Sequence, residues 1–215
     1  MLRNQSVVVL RKKVVDTATL VKVVDAQLAQ TPYVRPGGSL LIMVGLPGTG
    51  KSSLVETMRR SLPCVVVTTD EVRRYLPEKP TYTTAEKVFI YEVGHALAAS
   101  RLRQGQRVVF DGTNYVAAQR QKLYALAEQV GATLAICHVQ VAKEIARQRL
   151  ASRLSSQRRA TDLSEADWTV YQWMVEAQEP VERPHLVLDT TETPVQVLAW
   201  QLKEYWLACE QGSEQ

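Results

Sequence analysis

The segment Gly45-Leu46-Pro47-Gly48-Thr49-Gly50-Lys51-Ser52 limits what this 215-residue chain can become more than any other stretch. An apolar run, Leu40–Val44, precedes it, and a helical pattern, Ser52–Ser61, follows. In that setting Gly-x-x-x-x-Gly-Lys-Ser curls the backbone so that successive N–H groups point inward at phosphate. The helix that begins there aims its positive N-terminal end at the same spot. Gly45, Pro47, Gly48, Thr49, Gly50, Lys51, Ser52 and Ser53 are therefore the expected nucleotide-binding residues. Lys51 is placed to reach the β- and γ-phosphates and the Ser52 hydroxyl to ligate Mg²⁺. The bland alternative is a glycine turn that happens to join a strand to a helix.

The rest of the chain alternates in the same way. Apolar runs of strand length occupy Leu40–Val44, Cys64–Thr68, Arg107–Phe110, Ala132–Val139 and His185–Leu188. Helical patterns occupy Ser52–Ser61, Thr84–Gln104, Ala117–Val130, Lys143–Leu154, Ser164–Ala177 and Pro194–Ala208. Short continuous apolar strands between helices signal a parallel sheet covered on both faces. The expected fold is a doubly wound α/β domain: a five-stranded parallel sheet, helices on both sides and a helical lid. Its ligands belong beyond the carboxyl ends of the strands. The domain is expected over residues 37–210, with the lid near 143–162. Residues 1–36 form an N-terminal appendage in which 11–30 reads as an amphipathic helix, with Val14, Val15, Thr19, Val21, Val24 and Leu28 on one face. That face either packs on the domain or meets a partner.

Composition sets limits. Apolar residues at 46% supply a sizeable core. A net charge of +4 and a pI near 9.0 permit an anionic partner without demanding one. Cys64, Cys137 and Cys209 are odd in number and far apart, which argues against a disulfide framework or zinc site and fits a reducing compartment. No stretch approaches the ~18 apolar residues of a membrane span. A cytoplasmic protein without a membrane partner is the expectation.

Two further strand ends carry polar groups. Asp70 follows Cys64–Thr68 and is placed to accept the proton of an attacking hydroxyl, or simply to cap the helix after it. Arg73, three residues on, shares its side and can hold a substrate phosphate. Asp111-Gly112-Thr113-Asn114 follows Arg107–Phe110. Asp111 there suits Mg²⁺ or its waters, and Thr113 and Asn114 suit a substrate; the same four residues also read as a turn. Between Lys143 and Arg159, six cations, Lys143, Arg147, Arg149, Arg153, Arg158 and Arg159, face one acid, Glu144. Arg149 and Arg153 share a helical face, and the segment reads as a lid that brings charge onto a transferring phosphoryl or as a solvated face. Trp168, Tyr171 and Trp173 fit base stacking or core packing.

A phosphate loop, then Thr-Thr-Asp-x-x-Arg, then Asp-Gly-Thr-Asn resembles the polynucleotide-kinase-like branch of P-loop kinases over about residues 39–205. That branch holds phage-type 5′-hydroxyl polynucleotide kinases, the seryl-tRNA kinase and zeta-toxin relatives. The resemblance implies Asp70 as general base, Arg73 as a substrate-binding arginine, Thr113-Asn114 as the Thr-Asn signature, and Arg149-x-x-x-Arg153 as the lid motif. It also brings the loop Asp189-Thr190-Thr191 near the adenine. Gly112 is a departure, since the phage enzyme has Asp directly before Thr-Asn. The expectation is an ATP- and Mg²⁺-dependent kinase, with Lys51, Asp70, Arg149 and Arg153 catalytic and Ser52 and Asp111 at the metal. Its acceptor is a hydroxyl, foremost the 5′ end of RNA or DNA. A small-metabolite acceptor and a non-catalytic nucleotide switch remain as alternatives. No guanine-reading Asn-Lys-x-Asp segment is present to favour a GTPase.

Overall fold

A computed structural model describes residues 7–10, 13–78, 80–81, 83–154 and 168–212; residues 7–10, 13–15, 153 and 154 are described by backbone alone. The order is β1 (Val7–Leu10), β2 (Lys13–Asp16), α1 (Thr17–Asp25), β3 (Ser39–Val44), α2 (Lys51–Met58), β4 (Val65–Thr68) and α3 (Thr69–Arg74). Then come α4 (Thr84–Arg103), β5 (Arg107–Asp111), α5 (Ala117–Val130), β6 (Thr133–Gln140), α6 (Lys143–Leu154), α7 (Trp168–Glu176), β7 (Leu186–Asp189) and α8 (Val195–Gly212).

Strands β3 to β7 form one sheet in the order β4-β5-β3-β6-β7, and every pairing in it is parallel. Central β3 is buried along its whole length. That is why Leu40–Val44 is a continuous apolar run rather than an alternating one. Its side chains still alternate between two cores. Leu40, Ile42 and Val44 point to the face covered by α1, α4 and α5, where they meet Leu20, Val24, Val93, Leu97 and Leu123. Leu41 and Met43 point to the face covered by α2 and α8, against Leu54, Met58, Leu202 and Trp206. The expected doubly wound sheet with helices on both faces is the fold.

The N-terminal segment differs from its expectation. The helix spans Thr17–Asp25, and Lys13–Asp16 pairs antiparallel with Val7–Leu10. Two local forces account for this. Asp16 caps the helix, accepting the Thr19 N–H at 2.7 Å, so the helix cannot begin earlier without losing its cap. The β-branched Val14 and Val15 suit a strand better than a first helical turn. The apolar face of α1 packs on the domain: Leu20 and Val24 are buried in the core with α4. Arg101 of α4, almost fully buried, donates to the Asp25 carboxylate and carbonyl at 2.8 Å each and to Gln30 Oε1 at 3.1 Å.

Among the described residues no helix is long and apolar enough to cross a membrane. All three cysteines are free, and burial pushes Cys64 and Cys137 up to about 12.

Candidate active site

The phosphate loop carries the end of β3 into α2. At Gly45 a Cβ would lie 2.5 Å from the Val139 carbonyl oxygen, so no side chain fits. Gly50 precedes α2 at φ 89°, a left-handed conformation that glycine adopts without steric cost. Inside the loop, the Thr49 hydroxyl donates to the Leu46 carbonyl at 2.9 Å. The Lys51 ammonium is buried and donates to the carbonyls of Gly45 at 2.7 Å and Leu46 at 2.9 Å. Its charge is thus held within the curl of the loop.

Ser52 sits on the first turn of α2, and its hydroxyl donates to Asp111 Oδ2 at 2.8 Å. Asp111 closes β5 and stands in register with Met43 of β3, which brings it beside the loop. Its carboxylate is buried, and burial pushes it above the usual carboxylate range; the Lys51 charge and the Ser52 hydroxyl oppose that rise, and Asp70 adds to it. A hydroxyl and a carboxylate side by side are hard oxygen donors of the kind Mg²⁺ prefers. Among the described residues no three His, Cys, Asp or Glu gather as a metal site. An ion here would take its other ligands from phosphate and water.

Asp70 lies in the first turn of α3, just past the end of β4, but it does not cap the helix. Thr68 does, its hydroxyl accepting the Glu71 N–H at 2.8 Å. Relieved of capping, the Asp70 carboxylate accepts from Arg73 Nη1 at 3.0 Å and remains about a third exposed. Arg73 also donates through Nε to Glu86 Oε1 at 3.3 Å. Glu86, almost fully buried at the start of α4, accepts the Thr81 N–H at 2.5 Å and its hydroxyl at 2.8 Å on Oε2. Burial raises the Glu86 carboxyl, but the Thr81 amide and hydroxyl and the Arg73 charge outweigh it and hold it below the usual range.

The turn after Asp111 supports the loop from beneath. The Gly45 N–H donates to the Thr113 carbonyl at 3.0 Å. Asn114 is fully buried, at φ 44°, with Nδ2 donating to the Met43 carbonyl at 2.7 Å and Oδ1 without a hydrogen-bond partner among the described residues. Arg120, unmarked in the sequence, is buried behind it and donates to the Asn114 carbonyl at 2.9 Å.

Arg149 of α6 reaches the loop. Its Nη1 donates to the Gly48 carbonyl at 3.2 Å and to Thr190 Oγ1 at 2.8 Å, and its Nη2 donates to the Thr190 carbonyl at 2.8 Å. The Thr190 hydroxyl in turn donates to the Thr49 carbonyl at 2.8 Å. Arg153 follows one turn later in α6. Arg158, Arg159 and the lid from residue 155 to 162 lie outside the described residues.

The aromatic residues mostly pack. Tyr171 is buried with Leu46, Tyr115, Ala146 and Leu150, and Trp168 stacks on it at 4.8 Å. Trp173 meets Tyr115 edge-on at 6.0 Å and stays half exposed. A cavity of about 520 Å³ opens where β6 and β7 end, lined by Gln140, Val141 and Ala142 on one side and Asp189, Thr191 and Glu192 on the other.

Comparison with known proteins agrees with this architecture. A family model described as an AAA domain matches residues 40–178. The APS kinase CysC of Mycobacterium tuberculosis, solved with AMPPNP and APS, is similar at 17% identity and a TM-score of 0.62, covering 80% of this chain and 98% of that one. Kti12 of Chaetomium thermophilum, solved with ADP-AlF3, is similar at 16% identity and a TM-score of 0.61, covering 79% and 98%. A gluconokinase from Sinorhizobium meliloti is similar at 18% identity and a TM-score of 0.56, covering 84% and 96%. At these identities the likeness shows the fold alone. No curated protein matches the sequence.

Proposed function

We propose, for a chain that belongs to the AAA domain family AAA_33, that it is an ATP-dependent kinase transferring the γ-phosphate to a hydroxyl, foremost the 5′-hydroxyl of RNA or DNA. The observation that carries this reading is the meeting of three strand ends. Lys51, the Ser52–Asp111 pair and the Asp70–Arg73 pair come from the ends of neighbouring β3, β5 and β4. A phosphate cradle, a pair of oxygen donors and a partly exposed carboxylate at one edge are the parts that phosphoryl transfer to an alcohol requires.

In this reading the loop amides and Lys51 hold the β- and γ-phosphates, and the adenine enters the cavity between the ends of β6 and β7. Ser52 and Asp111 hold Mg²⁺, which when bound neutralises charge on the phosphates. The acceptor oxygen bonds to the γ-phosphorus as the bond to the β–γ bridging oxygen breaks. The hydroxyl proton passes to Asp70, and ADP leaves with the bonding pair. Arg149, already at the Gly48 carbonyl, and Arg153 on the same helix supply positive charge from the lid side. Thr113 and Arg73 border the acceptor.

A second reading is favoured by Arg73. Its guanidinium is committed to two carboxylates, which suits a neutral polyol better than a phosphate. One experiment separates the two: labelled ATP offered to oligonucleotides with 5′-hydroxyl ends and to a panel of sugars and nucleosides, at rising salt. Label on the oligonucleotide, with affinity falling steeply as salt rises, supports the polynucleotide acceptor. Label on a neutral metabolite, indifferent to salt, supports the second reading. Hydrolysis with no labelled acceptor refutes both.

A further inference from the structure

Glu86 has no part in the signatures that point to phosphate or to a general base. In the sequence it completes Thr83-x-x-Glu86, which reads as a capping box, the hydroxyl and the carboxylate closing the first turn of a helix. Half of that box is present. Thr83 caps α4, its hydroxyl accepting the Glu86 N–H at 3.3 Å. The carboxylate goes elsewhere. Oε1 takes Arg73 Nε, and Oε2 takes the amide and hydroxyl of Thr81. A buried carboxylate thus bridges the chain that leads into α4 and an arginine on α3.

Arg73 is forked between two acids for a geometric reason. Its Nε faces Glu86 Oε1 and its Nη1 faces Asp70 Oδ1, so the planar guanidinium has its orientation set at two points. Without Glu86, Arg73 would be free to turn both nitrogens of one edge onto Asp70. A carboxylate gripped at both oxygens keeps only its outer lone pairs and is a weaker acceptor of a hydroxyl proton. With Glu86 present, Arg73 binds Asp70 at one oxygen only and orients it.

We propose that Glu86 is a positioning residue for phosphoryl transfer, holding Arg73 by Nε so that Asp70 keeps Oδ2 for the acceptor hydroxyl. The assignment rests on the kinase reading with Asp70 as base. Because Glu86 acts through Arg73, its removal slows the transfer step without loosening ATP. Because Oε2 also ties down Thr81, the chain that leads into α4 and the orientation of the base are held by one side chain.

The test is a double-mutant cycle in the full chain, with labelled ATP and the hydroxyl acceptor that the wild-type protein labels. Glu86→Gln keeps the size and the acceptor oxygen but removes the charge; Arg73→Lys keeps a cation but cannot fork. Each single variant is expected to lose about 10–100-fold in kcat, the range seen when orienting partners are removed. ATP affinity should stay near the wild-type value in both variants, and acceptor KM near it in Glu86→Gln. The double variant should be no slower than the slower single one, since both break one link. Arg73 Nε–H, followed by NMR on arginine labelled with ¹⁵N, should lose its protection from solvent exchange in Glu86→Gln. If Glu86→Gln does not fold, Thr81→Val with Arg73→Lys gives a second cycle through the same carboxylate. A wild-type kcat in Glu86→Gln, or additive losses in the cycle, would overturn the role of Glu86 and leave the kinase reading standing. A wild-type protein that labels no hydroxyl overturns the kinase reading and this assignment with it.

Discussion

Ser52 and Asp111 lie 59 positions apart and share a hydrogen bond of 2.8 Å, the hydroxyl of one helix's first turn donating to the carboxylate that ends a neighbouring strand. Burial raises the Asp111 carboxyl. The folded chain therefore holds this proton to higher pH than the unfolded chain, whose aspartate releases it near 3.8. Stability from this group is present at low pH and lost as pH rises through the folded value. Asp111→Asn removes that loss. We expect its Tm at neutral pH, without Mg²⁺, to exceed the wild-type value. Mg²⁺-dependent turnover should collapse in the same variant. Calorimetry and a Mg²⁺ titration of activity check both halves.

Asp70→Asn keeps the shape and the contact from Arg73 but removes the proton acceptor. Transfer is expected to fall by about 10²–10⁴-fold, the usual worth of a general base. ATP affinity should hardly move, because Asp70 lies on α3 and not in the loop. Lys51→Ala, by contrast, should abolish turnover. Single-turnover transfer and equilibrium ATP binding separate the two, and a wild-type rate in Asp70→Asn would remove it from the base role.

Arg149→Ala should weaken ATP binding and slow transfer together. The side chain fastens Gly48 in the loop to Thr190 beyond β7, so its loss loosens both walls of the nucleotide site. Thr190→Val removes a single hydroxyl from the same junction and should show the same pattern more weakly. Arg153→Ala is expected to slow transfer alone. Comparing the ATP dissociation constant with kcat across the three variants tests the distinction.

Asp25→Ala should destabilise the fold by about 2–4 kcal/mol, because it leaves the buried Arg101 charge without its carboxylate. Urea unfolding measures this. We propose that residues 1–36 are an appendage the domain of 37–210 cannot shed, since α1 supplies Leu20 and Val24 to the main core. Deleting them should give a chain that aggregates; a monomeric, ATP-binding truncation would contradict the proposal.

The five strands and the helices between them are legible in the sequence because a sheet buried on both faces leaves unbroken apolar runs. The loop from Gly45 to Ser52 is legible because backbone curvature demands glycine at fixed steps. The hairpin before α1 is not, since valines at helical spacing serve a strand equally well. Glu86 is hidden by its own local pattern, a capping box, while its partner Arg73 sits 13 positions earlier. Asn114 carries a family-like signature, and only the packing of β5 on β3 reveals that it faces inward. Thr190 is 41 positions from Arg149, and nothing local in either segment announces the pair.

The junction of Arg149, Thr190 and Thr49 has a thermodynamic consequence. Helix α6, the phosphate loop and the segment beyond β7 share one set of hydrogen bonds. No one of them can change place without altering the energy of the other two. If nucleotide binding changes the affinity of α6 for a second ligand by some factor, that ligand changes nucleotide affinity by the same factor, since such coupling runs equally in both directions. A ligand or partner that touches only α6 would thereby act as an effector of the nucleotide site.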